Sequence, residues 1–598
     1  MSKTIIKRLE IIRNQLQKRG FQACIIPTSD PHQSEYTADL WKFREYLSGF
    51  SGSAGTLVIG IHKAGLWTDS RYFLQAEEEL EGNDIELFKL GISETPSPEK
   101  WISEQDYKTV GIDGALFSSK DVLNLTTFFK QKDIKLETDF EPYAAVWPDR
   151  PSIPEGKIYE FPEKFSGEAV HSKIERLRSE IRETGADCMP LSALDEIAWL
   201  LNLRGEDVDY NPVGICYAFI DKETVILFAN SSKLESKTIL YLHNNGVKIA
   251  EYDNLPSYLN NLSKVNILLD SSQINYRIYQ SIQTNCNIVE RNSPIKRMKS
   301  IKNPVELSGF RKAMIKDGIA LTRFLMWMEK EINTPEKDKL PNEWTLGKKI
   351  AEFRREQENY VFESFCPIVG YNEHGAIVHY EATPESAFTV RPEGFLLIDT
   401  GGQYLDGTTD ITRSWAFHHD TPAKYKEDYT ALLKGVIALS SVRFPTGTRG
   451  AQLDVLARQF IWQRNLNFGH GTGHGVGHFL NVHEGPQSIR MNENPAILEV
   501  GMVTSNEPGV YRSGEYGIRL ENLILVCEKE TSEFGKFLSF ETLTLFPFDL
   551  NSIEKELLSP AEILWIDSYH QRIFDRLTPG LNEAECSWLK VKTRKINE

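Results

Sequence analysis

The chain reads, in order, Phe395-Leu-Leu-Ile-Asp399-Thr-Gly-Gly402, Thr408-Thr-Asp410-Ile-Thr-Arg413, Gly469-His-Gly-Thr-Gly-His474-Gly-Val-Gly-His478, Ser505-Asn-Glu507-Pro-Gly509 and Gly517-Ile-Arg519-Leu-Glu521-Asn522. We expect four carboxylates and one imidazole of these phrases to converge: Asp399, Asp410, His474, Glu507 and Glu521. A carboxylate at the end of an apolar run is costly to bury without a cation beside it. The pair Asp406-Gly407 is favoured in tight hairpin turns, so the chain can fold back and bring Asp399 and Asp410 together. The stretch therefore predicts a metal site.

The expected cofactor is a pair of divalent metal ions. Four carboxylates contribute about −4 and a neutral imidazole contributes no charge, which two M²⁺ ions would balance. A water molecule between two such ions loses its proton near neutral pH and becomes a nucleophile. Oxygen-rich ligation with one imidazole and no thiolate favours Mn²⁺, with Co²⁺ and Zn²⁺ as alternatives.

Two residues close to these ligands have other interpretations. Arg519 lies two positions before Glu521, so in a strand both side chains would project from one face, and the guanidinium could orient a ligating carboxylate. Asp406 precedes a glycine, which is ordinary turn chemistry, and we expect no metal role for it. Any one of the acids taken singly is more typical of a solvated turn or a salt bridge; only the set as a whole favours a metal site.

The order Asp, Asp, His, Glu, Glu resembles the dimetal pita-bread peptidases, a group that includes methionine aminopeptidase, prolidase, creatinase and aminopeptidase P. The phrases Asp406-Gly-Thr-Thr-Asp410-Ile-Thr-Arg413, Gly469-His-Gly-Thr-Gly-His474-Gly-Val-Gly477 and Asn481-Val-His-Glu-Gly-Pro486 are similar to the long, three-domain aminopeptidase P type in particular. The resemblance covers almost the whole chain and is clearest in residues 25–75 and 360–526. It implies a metallo-aminopeptidase whose substrates are peptides with proline at the second position. A prolyl amide has no N–H and a fixed backbone angle, so it needs a dedicated pocket.

The resemblance also implies how the ligands share two metal ions. Asp399 would hold one ion, His474 and Glu507 the other, and Asp410 and Glu521 would bridge both. A hydroxide between the ions would attack the carbonyl carbon that precedes the proline. The free amino terminus of the peptide would lie near a metal ion or an acidic group.

Catalytic and substrate-binding roles are implied for four more residues, besides Arg519 near the metals. His379 matches a histidine that contacts the substrate or the tetrahedral intermediate, and His483 matches a proton-shuttle or substrate-contact histidine. His470 matches one near the bound proline. Arg71, in Trp67-Thr-Asp-Ser-Arg71, matches an arginine that contacts substrate from the N-terminal domain, although from the residues alone it is a surface or ion-paired arginine. For His478 a structural or peripheral role is expected, which is the ordinary case for a lone histidine.

Other functions remain open at this stage. A prolidase-type dipeptidase would use similar ligands, but the length and the N-terminal duplication favour an aminopeptidase. Methionine aminopeptidase lacks this N-terminal bulk, and creatinase does not share the metal dependence. A non-catalytic peptide- or protein-binding module is a different class, and such modules lose metal ligands whereas this chain has a full set.

The N-terminal half indicates a duplicated α/β unit. Ile5, Leu9, Ile12 and Leu16 have helical spacing and are followed by Gly20 and an apolar strand. The same order of helix, glycine and strand recurs with an offset of 165 residues, so that Gly185 corresponds to Gly20.

The predicted fold class is α/β (α+β), with two creatinase-like α/β domains followed by a pita-bread catalytic domain. The expected domains are residues 1–148, 165–300, 301–547 and a C-terminal helical tail, 548–598. Asn303-Pro304-Val-Glu306 should open the first helix of the catalytic domain. Leu564, Trp565, Tyr569 and Phe574 lie at helical spacing in the tail and would pack on the catalytic domain or form a dimer surface.

Composition restricts the partners. The 598 residues carry a net charge of −16 without a basic tract, which argues against nucleic-acid binding. The seven cysteines are scattered and odd in number, as expected for reduced thiols of a cytosolic protein. We expect no signal peptide, because the amino terminus is charged where an apolar core would be needed, and no apolar run approaches the ~18 residues of a membrane span. We therefore expect a cytoplasmic protein that does not bind membranes, and the resemblance implies a homodimer.

Overall fold

The computed structural model describes residues 2–334, 340–417 and 420–597. The chain forms two compact units, one of residues 1–163 and 168–296, the other of residues 164–167 and 297–598. No helix within the described ranges is long and apolar enough to cross a membrane. The domain boundaries expected near residues 148, 165, 300 and 547 remain predictions.

The first unit contains two α/β lobes. The elements of the first lobe are α1 (Ser2–Arg19), β1 (Ala23–Pro27), α2 (Phe43–Ser48), β2 (Thr56–Gly60), β3 (Ala64–Thr68), α3 (Phe73–Glu79), β4 (Glu86–Lys89), α4 (Pro98–Ser103), β5 (Thr109–Gly111), α5 (Ser119–Gln131), β6 (Lys135–Glu137) and α6 (Tyr143–Val146). The elements that follow are β7 (Ile158–Glu160), α7 (Glu163–Ser166), α8 (Val170–Glu183), β8 (Cys188–Leu191), α9 (Leu194–Leu200), β9 (Leu203–Gly205), β10 (Tyr217–Asp221), β11 (Val225–Phe228), α10 (Ser236–Asn244), β12 (Val247–Ala250), α11 (Leu255–Asn260), β13 (Asn266–Leu269), α12 (Tyr276–Gln280), β14 (Asn287–Glu290) and α13 (Pro294–Ser300).

The two lobes share one sheet topology. The first sheet has the order β4-β3-β2-β1-β5-β6 and the second the order β12-β11-β10-β8-β13-β14. In each sheet the first strand in sequence pairs antiparallel on one side and parallel on the other, and both edge strands are parallel to their neighbours. The predicted duplication is confirmed.

The opening helix forms for the reason that its spacing predicts. Ile5, Leu9, Ile12 and Leu16 lie on one face of α1 and are buried. Gly20 then adopts a left-handed conformation with φ +74°, which a glycine at a helix C-terminus accommodates without strain. Gly185 ends α8 in the same way, with φ +78°.

The second unit contains the five candidate metal ligands. Its elements are α14 (Pro304–Ile332), α15 (Glu343–Arg355), β15 (Tyr360–Glu363), β16 (Ile368–Tyr371), β17 (Phe395–Thr400), β18 (Gly402–Tyr404), β19 (Gly407–Thr408), β20 (Ile411–Ala416), α16 (Ala423–Ser441), β21 (Arg443–Pro445), α17 (Gly450–Trp462), β22 (Gly473–Gly475), β23 (Glu484–Ile489), β24 (Val503–Asn506), β25 (Gly509–Arg512), β26 (Tyr516–Arg519), β27 (Asn522–Ser532), β28 (Gly535–Thr542), α18 (Pro560–Leu577) and α19 (Glu583–Lys592). The main sheets have the orders β16-β17-β20 and β21-β28-β27-β24-β22-β23.

The helix α14 begins where the sequence predicts. The Asn303 side chain accepts hydrogen bonds from the backbone N–H groups of Val305 and Glu306, and the Glu306 carboxylate accepts one from the Asn303 N–H. This reciprocal cap satisfies backbone donors that a helix start leaves unpaired. Pro304 follows at the first helical position, where its missing N–H costs nothing.

The predicted tail helix is α18, but its buried face differs in part from the prediction. Tyr569 is buried as expected, together with Ile566, Ile573 and Leu577. Leu564 is 67% exposed. Trp565 and Phe574 are partly buried and pack against the core of this unit, so these residues show the expected packing, and the alternative of a dimer surface at Leu564 stays a prediction.

Candidate metal centre

Two strands of the three-stranded sheet bring Asp399 and Asp410 to one end. Asp399 lies near the end of β17, and Asp410 immediately precedes β20, which runs antiparallel to β17 with Thr400 opposite Ile411. The predicted fold-back is present, but β18 and β19 pair Tyr404 with Gly407. The tight turn is thus formed by residues 405–406, one position earlier than Asp406-Gly407.

The six-stranded sheet supplies the other three ligands. His474 lies within β22, Glu507 directly follows β24, and Glu521 directly precedes β27. Asn506 pairs with Asn522 in the ladder between β24 and β27, which brings the two glutamates to the same end of these strands. The backbone N–H of Glu521 donates to the carbonyl of Thr412 at 3.1 Å, so the two sheets meet beside the site.

The side chains of Asp410, Glu507 and Glu521 lie close to the imidazole of His474. His474 Nε2 is 3.5 Å from Asp410 Oδ2 and 3.3 Å from Glu507 Oε1. One ligand atom each from Asp410, His474 and Glu521 lie within 4.8 Å of one another. His474 Nδ1 is 2.9 Å from the carbonyl oxygen of Gly475, a contact that assigns the proton to Nδ1 and leaves the Nε2 lone pair for a metal.

The carboxyl groups repel one another in this buried site. Burial raises the pKa of Asp399, Arg519 opposes this rise, and Asp410 and Glu507 add to it, so that the pKa is about 7. Burial also raises the pKa of Glu507, and it raises that of Glu521 well above its ordinary value, with Asp410 contributing to both. Burial lowers the pKa of His474, but Asp410 and Glu507 outweigh this effect and raise the pKa to about 9. Without a metal ion, these carboxyl groups and the His474 imidazole therefore bind protons more tightly than they would in water. A bound cation would replace those protons.

The donor set suits divalent cations. Asp399 Oδ1 and Glu521 Oε1 are buried and, among the described residues, have no hydrogen-bond partner. A buried carboxylate oxygen without a partner is costly, and a cation removes that cost. Oxygen ligands with a single imidazole nitrogen match the preference of hard and intermediate divalent ions. The residues therefore fit a metal centre.

Arg519 is almost fully buried and holds Asp399. Its Nε and Nη2 atoms lie 3.1 and 2.6 Å from Asp399 Oδ2. Its Nη1 atom donates to the Tyr511 hydroxyl at 2.7 Å and its Nη2 atom to the carbonyl of Val378 at 3.3 Å. The sequence predicted that Arg519 and Glu521 lie in one strand. In the structure β26 ends at Arg519 and β27 begins after Glu521, so this prediction is wrong.

Two polar residues that the sequence analysis did not identify connect the ligands. The Thr412 hydroxyl donates to Glu521 Oε2 at 2.8 Å and accepts from Arg519 Nε at 3.2 Å. The Tyr511 hydroxyl lies 2.8 Å from His470 Nε2 and 2.7 Å from Arg519 Nη1. Thr412 could have been identified from its position, because it lies two residues after Asp410 and so shares its face in a strand.

Two of the predicted catalytic histidines lie beside this network. The ring of His483 is 4.4 Å from the ring of His474 and stands edge-on to it. The residue after His483, Glu484, is buried and pairs with Lys299 at 2.8 Å and Lys302 at 2.6 Å. The half-buried His379 follows Val378, whose carbonyl accepts from Arg519.

The remaining predicted residues have structural partners. The Nε2 atom of His470 contacts the Tyr511 hydroxyl, and its Nδ1 atom lies 2.8 Å from the carbonyl oxygen of Gly471. His478 is buried with its ring edge-on to Phe310 of α14, at 5.5 Å, as expected for a structural residue. Asp406 pairs with Lys316 at 2.5 Å and accepts a hydrogen bond from Asn359.

Arg71 belongs to the first unit, where it forms an ion pair with Asp69. Its Nε and Nη2 atoms lie 2.8 and 2.7 Å from the two carboxylate oxygens of Asp69. Burial opposes the charge of Arg71, but Asp69 more than compensates and raises the pKa of the guanidinium. Its substrate contact remains a prediction.

Sequence models of known families match nearly all of the chain. The model of the creatinase/prolidase N-terminal domain matches residues 8–139, and a second model of that description matches residues 149–306. Metallopeptidase family M24 matches residues 308–528, and the C-terminal region of that peptidase matches residues 536–596. All five candidate ligands lie within the M24 match.

Similar proteins cover the full length. Xaa-Pro aminopeptidase 1 of Dictyostelium discoideum is 40% identical over 99% of this chain and 97% of its own length. Aminopeptidase P2 of Arabidopsis thaliana is 38% identical over 96% of this chain and 86% of its own. The crystal structure of X-prolyl aminopeptidase from Caenorhabditis elegans, described as a cytosolic enzyme with a di-nuclear active site, superimposes with a TM-score of 0.94 and 31% identity, covering 99% of this chain and 100% of that one.

Proposed function

The chain belongs to metallopeptidase family M24, and from that premise we propose that it is an aminopeptidase that hydrolyses the bond between an N-terminal residue and a following proline. Its similarity to the Dictyostelium and Arabidopsis enzymes over nearly their whole length supports this activity. The likeness to the Caenorhabditis elegans structure supports the same conclusion and a di-nuclear centre.

One observation carries the proposal: the convergence of Asp399, Asp410, His474, Glu507 and Glu521 in a buried site. Among the described residues, Asp399 Oδ1 and Glu521 Oε1 are buried without a hydrogen-bond partner, a cost that a bound cation would remove. Perturbed carboxyl and imidazole groups of this kind concentrate at functional sites. A non-catalytic binding module would have no reason to keep all five.

The five residues would hold two divalent ions between them. Asp399 would bind one ion, His474 and Glu507 the other, and Asp410 and Glu521 both. When bound, the ions supply Lewis acidity that polarises the scissile carbonyl and lowers the pKa of water at the site. Manganese is the proposed metal, because the donors are mostly carboxylate oxygens.

The chain itself orients these ligands before any substrate arrives. The Nδ1 hydrogen bond to Gly475 keeps the His474 Nε2 lone pair available. Arg519 fixes one oxygen of Asp399 and leaves the other free for a metal, and Thr412 does the same for Glu521. Such partners fix the orientation of metal ligands and raise affinity.

The flanking histidines would handle protons and substrate. His483, whose ring lies beside that of His474, would move a proton to the leaving prolyl nitrogen. His379 would donate to the carbonyl oxygen of the substrate, where negative charge develops. Arg71 would contact the peptide from the N-terminal unit. The Tyr511 hydroxyl would fix the positions of the His470 and Arg519 side chains relative to each other. The protein is further proposed to be cytoplasmic and homodimeric.

The test is hydrolysis of Arg-Pro-Pro by the metal-loaded protein. We expect release of free arginine, with Arg-Ala-Pro as the control that lacks proline at the second position. Cleavage of Ala-Pro with no cleavage of Arg-Pro-Pro would instead identify a dipeptidase. Metal-loaded, folded protein that cleaves none of these peptides would refute the proposal.

A further inference from the structure

A fully buried carboxylate anchors the segment that carries His379. Glu343 is the first residue of α15, and its side chain is completely buried. Four donors reach its two oxygens, all from residues 371–388: Tyr371 N–H at 2.6 Å, Phe388 N–H at 2.7 Å, His374 Nδ1 at 3.0 and 2.9 Å, and the Tyr380 hydroxyl at 3.1 Å.

These contacts fill the hydrogen-bonding capacity of Glu343. A carboxylate has about four lone-pair sites, and four donors occupy them. The backbone N–H of Glu343 also donates to the carbonyl of Phe388 at 3.1 Å, so α15 and residue 388 are joined twice. The His374 ring stacks on Phe388 at 3.7 Å and lies 4.3 Å from the Tyr380 ring. The segment is therefore tied to one buried group at its start, middle and end.

Residues 371–388 also contact residues next to the candidate metal site. The Val378 carbonyl accepts from Arg519, which also holds Asp399. Gly375 packs so closely on Gly517 that a Cβ atom added to Gly517 would lie 1.7 Å from the Gly375 carbonyl oxygen. No side chain fits between the backbone at Gly375 and the backbone at Gly517. A displacement of the Gly375 backbone would therefore displace that of Gly517.

His379 lies between these two attachments. The residue before it, Val378, is held by Arg519, and the residue after it, Tyr380, is held by Glu343. We propose that Glu343 is a positioning residue for His379, setting the place of the imidazole relative to the metal ligands. This inference rests on the proposed function, because the part played by His379 in catalysis is itself proposed.

The first test is the isosteric change Glu343→Gln. The glutamine side chain keeps one acceptor oxygen, but its NH₂ group replaces the other carboxylate oxygen. That NH₂ group would face hydrogen-bond donors of residues 371–388, so the segment must move. Misplacing a group by 1 Å costs of order 100-fold in rate, so we expect kcat/KM on Arg-Pro-Pro to fall by about 100-fold while bound metal stays unchanged. The matched control is Glu352→Gln, on the same helix but with a side chain that is 55% exposed and forms an ion pair with Lys349; this variant should match the unsubstituted protein.

A double-mutant cycle separates positioning from general damage. If Glu343 acts through His379, Glu343→Gln should have little further effect on a His379→Ala protein. If the double variant instead loses kcat/KM by the product of the two single losses, the inference is overturned. Unchanged kcat/KM in Glu343→Gln would also overturn it. His374→Gln removes only one of the four donors and gives a milder variant, expected to show the same lack of additivity if Glu343→Gln does not fold.

Hydrogen exchange tests the anchor without any substrate. The amides of Tyr371 and Phe388 should exchange faster in Glu343→Gln, while amides in the β27–β28 hairpin keep their protection. Unchanged exchange across residues 371–388 would overturn the inference even if peptide hydrolysis is not observed. If unsubstituted protein does not cleave peptides but the exchange does rise, the proposed function fails and the anchoring of this segment stands.

Discussion

The buried guanidinium of Arg519 compensates the Asp399 carboxylate, and Arg519→Met removes that compensation. Arg519 is 2% exposed and donates to Asp399 twice, and to Thr412, Tyr511 and Val378. Methionine preserves volume but leaves these partners unpaired in the interior. Breaking a buried pair on one side costs about 3–5 kcal/mol, and we expect metal-free Arg519→Met to lose that much stability.

Arg519→Lys separates charge from geometry. Lysine keeps the positive charge but offers three donors in place of five and has no planar fork. Metal affinity should therefore fall by about 10- to 100-fold, because Asp399 is less well oriented while the charge of the site is unchanged.

Urea unfolding of metal-free protein measures the first effect, and competition with a chelator measures the second. Arg297→Met is the control, since Arg297 is 59% exposed and its ion pair with Glu499 should be worth about 1 kcal/mol or less. Equal stability of Arg519→Met and the unsubstituted protein would refute the view that this guanidinium compensates Asp399. Unchanged metal affinity in Arg519→Lys would refute its orienting role.

Three further predictions concern His570, the Glu484 ion pairs and Tyr511. Burial lowers the pKa of His570 to about 3 from 6.5, so below pH 6.5 the unfolded chain gains a proton that the folded chain does not. Stability should therefore fall by about 2 kcal/mol between pH 7.5 and pH 5, and His570→Gln should abolish that part of the loss in urea unfolding. Glu484 pairs with two buried lysines, so Lys302→Met leaves a balanced pair and should cost about 1–3 kcal/mol, whereas Glu484→Gln should cost about 3–5 kcal/mol. The reverse order of these two unfolding energies would contradict the pairing. Tyr511→Phe removes the hydroxyl between His470 and Arg519 and should lower kcat/KM about 10-fold with metal content unchanged, as measured by peptide hydrolysis and elemental analysis.

The sequence predicted most of the fold for a local reason. The spacing of Ile5, Leu9, Ile12 and Leu16, and the cap at Asn303, depend on residues within a few positions of each other. The duplication was visible only as a helix, glycine and strand in the same order. The structure makes it plain because the two sheets share their strand order and every strand direction.

The candidate ligands could be predicted because each stands in a distinctive phrase, such as an apolar run that ends in Asp399. The residues that hold the site in place could not be predicted in this way. Glu343 lies 28 residues before the nearest of its donors, Tyr371, and looks like an ordinary acidic residue in the first turn of a helix. Tyr511 shows no signal of its role, because its contacts to His470 and Arg519 depend on how β25 and β26 pair.

Geometry that depends on register was also beyond the sequence. The turn between β18 and β19 falls one residue before the Asp406-Gly407 pair, and Arg519 and Glu521 are separated by the end of a strand. Both differences arise because strand ends are set by pairing with distant strands, which local propensity does not encode.

The most direct test of the central claim is metal restoration. Protein stripped of metal is given increasing equivalents of Mn²⁺, and bound metal and arginine release from Arg-Pro-Pro are measured on the same samples. We predict no hydrolysis without metal, full activity near two bound ions per chain, and at most one tightly held ion in Glu521→Gln with little activity. Hydrolysis by metal-free protein, or intact activity and metal content in Glu521→Gln, would contradict the account.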